Sequence, residues 1–189
     1  MEVRKTRLEE LDAVMEVYAY ARKFMAEHDN PNQWKNNKPS REQIEKDILG
    51  GKHHVCVEND QIAAVFYFAH ETDPTYVKIY DGAWLNDGQY MTVHRVAVDS
   101  TLRRKGIASF LLAAAVEEAK ELGLGSLRLD THMENKVMQA TLLRNGLTNC
   151  GTIILGRANV SDPTGLPEGP VTPDMVPAKF LRWAYEKLI

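Results

Sequence analysis

The stretch Val96-Ala97-Val98-Asp99-Ser100-Thr101-Leu102-Arg103-Arg104-Lys105-Gly106-Ile107-Ala108-Ser109 decides how this chain folds. A β-branched apolar run passes through a short basic loop into helix-favouring residues, so a strand, a loop and a helix start follow without a gap. The first amides of a helix have no partner within it, and the helix dipole adds partial positive charge, so an anion is stabilised there. Gly106 and Ala108 keep side chains out of that anion's way, while Arg103, Arg104 and Lys105 supply three positive charges. Three charges suit a pyrophosphate better than a single carboxylate. The stretch has neither the G-x-x-x-x-G-K-[ST] order of a Walker loop nor the G-x-G-x-x-G dinucleotide fingerprint, so the NTPase and nicotinamide-enzyme readings fall.

The rest of the chain is compatible with one soluble α/β domain. Its 189 residues compare with a usual ~150 per domain, so a single domain over 1–189 is expected. Hydrophobic residues at 44% and charged residues at 26% exclude disordered, collagenous and disulfide-scaffold classes. With Lys+Arg 23 and Asp+Glu 26, the net charge is −3. That balance argues against a nucleic-acid or anionic-membrane partner, and it weakens the reading of Arg103 to Lys105 as a nucleic-acid patch. No run approaches the ~20 apolar residues of a membrane span and the start lacks a signal-peptide stretch, so a cytoplasmic setting is expected. Cys56 and Cys150 lie in apolar runs and read as buried free thiols. His53-His54 is not a metal pair, because adjacent strand residues face opposite sides, and no metal site is expected.

Periodicity predicts a helix over about 7–25, opened by a capping box from Thr6 to Glu9, and a second opened by Ser40 to Gln43 and stopped at Gly50-Gly51. A hairpin is expected from His53 to Glu58 and Ile62 to Ala69. A long loop over 70–88 leads to a strand from Tyr90 to Val98. A helix ending at Gly123, a strand from Ser126 to Asp130, a helix from Asn135 to Asn145 and a strand from Thr148 to Leu155 follow. A proline-rich insertion at about 158–177 reads as irregular, and Leu181 to Leu188 as a last strand. That insertion reads as disordered or packed on the surface, the alternatives being a cover for a pocket or a subunit contact, and a homodimer is one assembly left open.

The basic loop in this setting resembles the GNAT N-acetyltransferase superfamily, whose acetyl-CoA loop has the form [Q/R]-x-x-G-x-[G/A]; Arg103-x-x-Gly106-x-Ala108 fits it. Val96-Ala97-Val98 upstream and Asp130, Asn135 and Asn145-Gly146-Leu147 downstream follow the family order. The resemblance implies an α/β fold with a mixed, mostly antiparallel central sheet, splayed at the acetyl-CoA site and flanked by helices. It implies that Val96, Ala97 and Val98 line the pantetheine arm, with Val96 and Val98 bonding it through the main chain. Arg103, Arg104, Lys105, Gly106, Ile107, Ala108 and Ser109 would hold the pyrophosphate, and Asn135 would touch the arm.

The implied activity is transfer of an acetyl group from acetyl-CoA to a primary amine of a small molecule or peptide, by direct attack; the alternative is a non-catalytic acyl-CoA sensor. A base is needed. His94 shares a strand face with Thr92, Val96 and Val98, and imidazole titrates in a range suited to that task. The competing reading is a satisfied sheet histidine or a partner for Arg95. Where the family often has a proton-donating tyrosine, this chain has Leu142, leaving Thr141, His132 or Cys150 as substitutes or water as the donor. Trp34, in a polar loop, and Trp84 are the candidate acceptor-binding residues, framed by Tyr67 and Tyr76, since aromatic faces attract an ammonium. Polyamine, amino acid, aminoglycoside and peptide N-terminus all remain open as acceptors.

Overall fold

The computed structural model describes residues 1–99, 106–155 and 172–189. These group into two compact units, Met1–Ala69 with Val93–Glu118, and His70–Thr92 with Ala119–Ile189.

The first unit is built on β1 (Glu2–Lys5), β2 (His53–Glu58), β3 (Gln61–His70) and the later part of β4 (Tyr90–Val98). β1 pairs antiparallel with β2, and β2 with β3. Glu58 pairs with Gln61, so Asn59 and Asp60 alone make the hairpin loop, with φ of 49° and 61°. Two central residues in the left-handed region give the turn whose twist matches the flanking strands. Helix α1 (Leu11–Glu27) buries Leu11, Val14, Val17 and Tyr18 at helical spacing. These meet Ile44 and Ile48 of α2 (Arg41–Leu49), together with Val55, Val65 and Ala97, in one core cluster. Ser40 caps α2 by accepting from the Gln43 amide at 3.3 Å. Helix α3 (Ile107–Glu121) buries Ile107, Leu111 and Ala115, whereas Leu122 just beyond it is exposed.

The predicted cap at Thr6 is replaced. A 3₁₀ turn over Leu8–Glu10 precedes α1, and the Arg7 amide donates to Glu10 Oε2 at 2.9 Å, with Arg4 paired to the same carboxylate at 2.6 Å. Thr6 is buried, and its hydroxyl lies 2.7 Å from His53 Nδ1. The sequence pattern was real in spacing, but burial gave the hydroxyl a partner elsewhere.

His53 and His54 face opposite sides of β2, as alternation requires. His54 stacks on Phe68 at 4.0 Å. Burial is the main cause holding both imidazoles neutral: the pKa of His53 is lowered to about 3 and that of His54 to about 4. Because both folded values lie below the unfolded value of 6.5, the stability they contribute is complete above pH 6.5 and is lost as pH falls through that window. The loss is roughly 1.4 kcal/mol per pH unit for each histidine. Urea unfolding between pH 7 and pH 5 is expected to show it, with a shallower slope in His54→Phe; an unchanged slope in that variant would contradict the assignment.

The second unit holds the first residues of β4, β5 (Ser126–His132), α4 (Lys136–Arg144), β6 (Thr148–Ile154) and β7 (Leu181–Leu188). β4 pairs parallel with β5 at Tyr90, Met91 and Thr92, and β7 lies antiparallel between β5 and β6. The strand order is β1-β2-β3-β4-β5-β7-β6. The segment over 70–88 is less irregular than its sequence suggests. It contains a 3₁₀ turn at Pro74–Tyr76 and a bridge from Tyr80 to Thr152, and the Gly82 position lies against the Cys150 carbonyl, where a Cβ has no room. Of the proline-rich insertion, 172–177 lies within the described residues. Pro173–Met175 and Ala178–Phe180 form 3₁₀ turns, and Val176 is buried with Ile154; residues 158–171 lie outside the described residues. Cys56 and Cys150 are free and buried. Among the described residues no helix is long and apolar enough to cross a membrane.

Candidate active site

The site begins at an irregularity in β4. Arg95, in mid-strand, has φ of 54°, a left-handed conformation that costs a non-glycine residue about 1–2 kcal/mol. Its side chain is held firmly: the guanidinium lies 2.7 Å from Asp47 Oδ2 and 4.3 Å over the Tyr67 ring. Past this left-handed residue the Asp99 amide donates to the Ala63 carbonyl of β3 at 2.9 Å. Strand alternation therefore turns Ala97 toward β3 and the backbone groups of Val96 and Val98 away from it. Ala97 is buried and Val96 and Val98 are half-buried.

Arg103, Arg104 and Lys105 lie outside the described residues. Gly106 is described, with φ of 105°, which only glycine adopts without strain, and an added Cβ would meet nothing within 4 Å. Among the described residues, the first helical bond runs from the Phe110 amide to the Gly106 carbonyl at 2.9 Å. The amides of Gly106, Ile107 and Ala108 thus precede the point at which α3 supplies its own acceptors, and Ser109 follows in the same turn. Ile107 is buried, which anchors the helix start to the core.

His94 is half-buried and its ring lies 5.9 Å from that of Tyr67, the same ring that carries Arg95. Trp34, predicted as an acceptor contact, sits at φ of 59° and packs edge-on to Tyr18 at 5.6 Å, so core packing accounts for its loop after all.

In the second unit, Asn135 caps α4 by accepting from the Met138 amide at 3.0 Å. Leu142 is fully buried. Of the substitutes considered for its missing proton, Thr141 donates to the Val137 carbonyl of its own helix, and burial raises the pKa of the Cys150 thiol. His132 Nδ1 accepts from the Glu134 amide at 3.2 Å, which puts the ring proton on Nε2. Burial, then the nearby Arg182, lowers the His132 pKa.

Trp84 lines a cavity of about 390 Å³ with Tyr76, Tyr90, Glu71, Asp87 and Arg128. Its indole donates to the Tyr76 carbonyl at 2.9 Å. Arg128 lies 4.3 Å over Trp84 and 4.1 Å over Tyr90, with Nε 2.9 Å from the fully buried Glu186. Tyr90, Arg128 and Glu186 were missed in the sequence. The available signal was alternation: Ser126, Arg128, Asp130 and His132 form an unbroken polar face along β5.

The chain matches the model of the Acetyltransferase (GNAT) family over residues 16–147. No curated protein sequence matches it. Among solved structures, a GNAT-family acetyltransferase from Streptococcus agalactiae is similar at 28% identity and a TM-score of 0.80, covering 100% of this chain and 95% of that one. The PaiA N-acetyltransferase of Thermoplasma acidophilum, in complex with coenzyme A, is similar at 15% identity and 0.66, covering 100% and 98%. A ribosomal-protein-alanine N-acetyltransferase from Brucella melitensis is similar at 17% identity and 0.61, covering 100% of both chains. The last two share the fold: a mixed α/β arrangement with an open, mostly antiparallel seven-stranded sheet flanked by helices. With its family model spanning most of its length, from the first helix to the turn after α4, this chain belongs to the GNAT acetyltransferase family.

Proposed function

We propose that the protein transfers an acetyl group from acetyl-CoA to a primary amine by direct attack. The observation that carries this reading is the left-handed Arg95 in β4, past which the Asp99–Ala63 bond leaves the main chain of Val96 and Val98 facing away from β3, ahead of Gly106 at the start of α3. An extended amide-bearing arm would bond such a strand edge as an added strand, and a diphosphate would bond the amides opening α3, with Arg103, Arg104 and Lys105 adding charge. The coenzyme A complex of the Thermoplasma acidophilum neighbour supports the choice of cofactor.

In the proposed reaction the ammonium acceptor loses a proton to His94. The free amine then attacks the thioester carbonyl carbon, a C–N bond forms, the C–S bond breaks, the thiolate leaves, and the acylated nitrogen releases its surplus proton to water. A thiol's ordinary pKa of ~8.5 makes that thiolate a tolerable leaving group, so water can protonate it where Leu142 cannot. The cavity beside Trp84 is the proposed acceptor pocket. The lining carries two carboxylates, Glu71 and Asp87, against the one guanidinium of Arg128, itself paired to Glu186, which suits it to an amine in its ammonium form.

The buried Leu142 favours one other reading, an acyl-CoA sensor without turnover. Thiol release from acetyl-CoA against an amine library, with mass detection of the acetylated product, separates the two. The enzyme reading expects an acetylated amine; coenzyme A binding with no product from any amine would favour the sensor.

A further inference from the structure

We infer that Tyr18 of α1 is a positioning residue for the cofactor edge of β4, acting through a directed hydrogen-bond chain that fixes the left-handed Arg95 as a one-residue bulge. The inference rests on the acyl-CoA reading above. Tyr18 is completely buried and donates from its hydroxyl to the Arg95 carbonyl at 3.1 Å. The same hydroxyl lies 3.1 Å from His53 Nε2, and His53 Nδ1 lies 2.7 Å from Thr6 Oγ1.

The proton positions follow from the end of the chain. A carbonyl only accepts, so the single Tyr18 proton goes to Arg95; His53 Nε2 must then donate to the Tyr18 oxygen, and Nδ1 accepts from Thr6. The row runs one way, from Thr6 through His53 and Tyr18 to the bulge. The side chain of the bulge residue is fixed from the other direction by Asp47, which in turn accepts from Gln43 Nε2 at 2.9 Å. Core, helix and strand thus grip one residue by both its carbonyl and its guanidinium.

The consequence lies in strand parity. A one-residue bulge exchanges which backbone groups face each side of a strand. With Arg95 bulged, Val96 and Val98 face away from β3; with the strand regular, Ala97 would take their place. Left-handed arginine is unfavourable by itself, so the bulge persists only where its surroundings over-determine it. Removing the Tyr18 hydroxyl withdraws the partner of the bulge carbonyl and lets the strand relax toward the regular form.

The test is calorimetric titration of coenzyme A into wild-type protein, Tyr18→Phe, Thr6→Val and Val14→Ala. Val14 is a fully buried neighbour on α1 with no polar role, so its truncation reports loss of packing alone. Tyr18→Phe is expected to raise the dissociation constant roughly tenfold, the equivalent of one lost hydrogen bond. Thr6→Val should raise it by about threefold through the same chain, and Val14→Ala should change it by less than about twofold at a temperature where every variant is folded. Wild-type affinity in Tyr18→Phe, or equal weakening in Val14→Ala, overturns the inference. Should Tyr18→Phe fail to fold, Thr6→Val carries the same comparison, and unchanged affinity there overturns it. Absence of binding by the wild-type protein would instead overturn the acyl-CoA reading.

Discussion

Glu186→Ala is expected to destabilise the protein by about 3–5 kcal/mol, the cost of leaving a buried charge without its counter-ion. Glu186 has no exposed surface; it accepts from Ser126 Oγ at 2.6 Å, Arg128 Nε at 2.9 Å and Asn86 Nδ2 at 3.1 Å, and also from the Leu85 amide. Its loss strands all of these donors at once, including a guanidinium that is only 6% exposed. Thermal unfolding should show Tm lower by something on the order of 10 °C. Removing both charges, as Glu186→Leu with Arg128→Leu, should recover part of the loss. The charge is then gone, and the faces of Trp84 and Tyr90 meet an apolar side chain, but the Leu85 amide and the Ser126 hydroxyl stay unpaired. A single variant with unchanged Tm, or a double variant less stable than the single, would contradict this account. The same carboxylate ties down residues 85 and 86 beside the cavity, so the single variant should also weaken acceptor binding.

His94→Ala is expected to lower kcat/KM about 100-fold while leaving coenzyme A affinity within roughly twofold, as loss of a general base without loss of binding requires. The base works only when deprotonated, so the pH profile of kcat/KM should differ between the wild type and the variant. An unaltered pH profile would remove His94 from the role. Tyr67 links this residue to the strand geometry, since its ring meets both His94 and the Arg95 guanidinium. Tyr67→Leu should therefore disturb both cofactor affinity and turnover, unlike His94→Ala.

The features legible in the sequence were those written locally. The hairpin at Asn59-Asp60, the Ser40 cap and the strand-to-helix passage through Gly106 each depend on residues within a few positions of one another. β1 was not legible, because Glu2–Lys5 is short and mostly charged and becomes a strand only by pairing with β2. The left-handed Arg95 carries no composition signal: glycine or asparagine would have marked such a position, whereas arginine is held there by Asp47, Tyr67 and Tyr18, all distant in sequence. Thr6 was misread for the same reason, since its partner His53 is 47 positions away. Trp34 looked available because its neighbours are polar, yet its own ring belongs to the Tyr18 cluster. The Arg128 and Glu186 pair spans 58 positions, and only the polar alternation of β5 hinted at it.

Calorimetric titration of coenzyme A into wild-type protein and Arg104→Glu tests the central claim most directly. The account predicts saturable binding by the wild type and an affinity at least roughly tenfold weaker in the variant, as expected when a charge beside a diphosphate is reversed. Equal affinity in the two proteins, or no binding by the wild type, would contradict it.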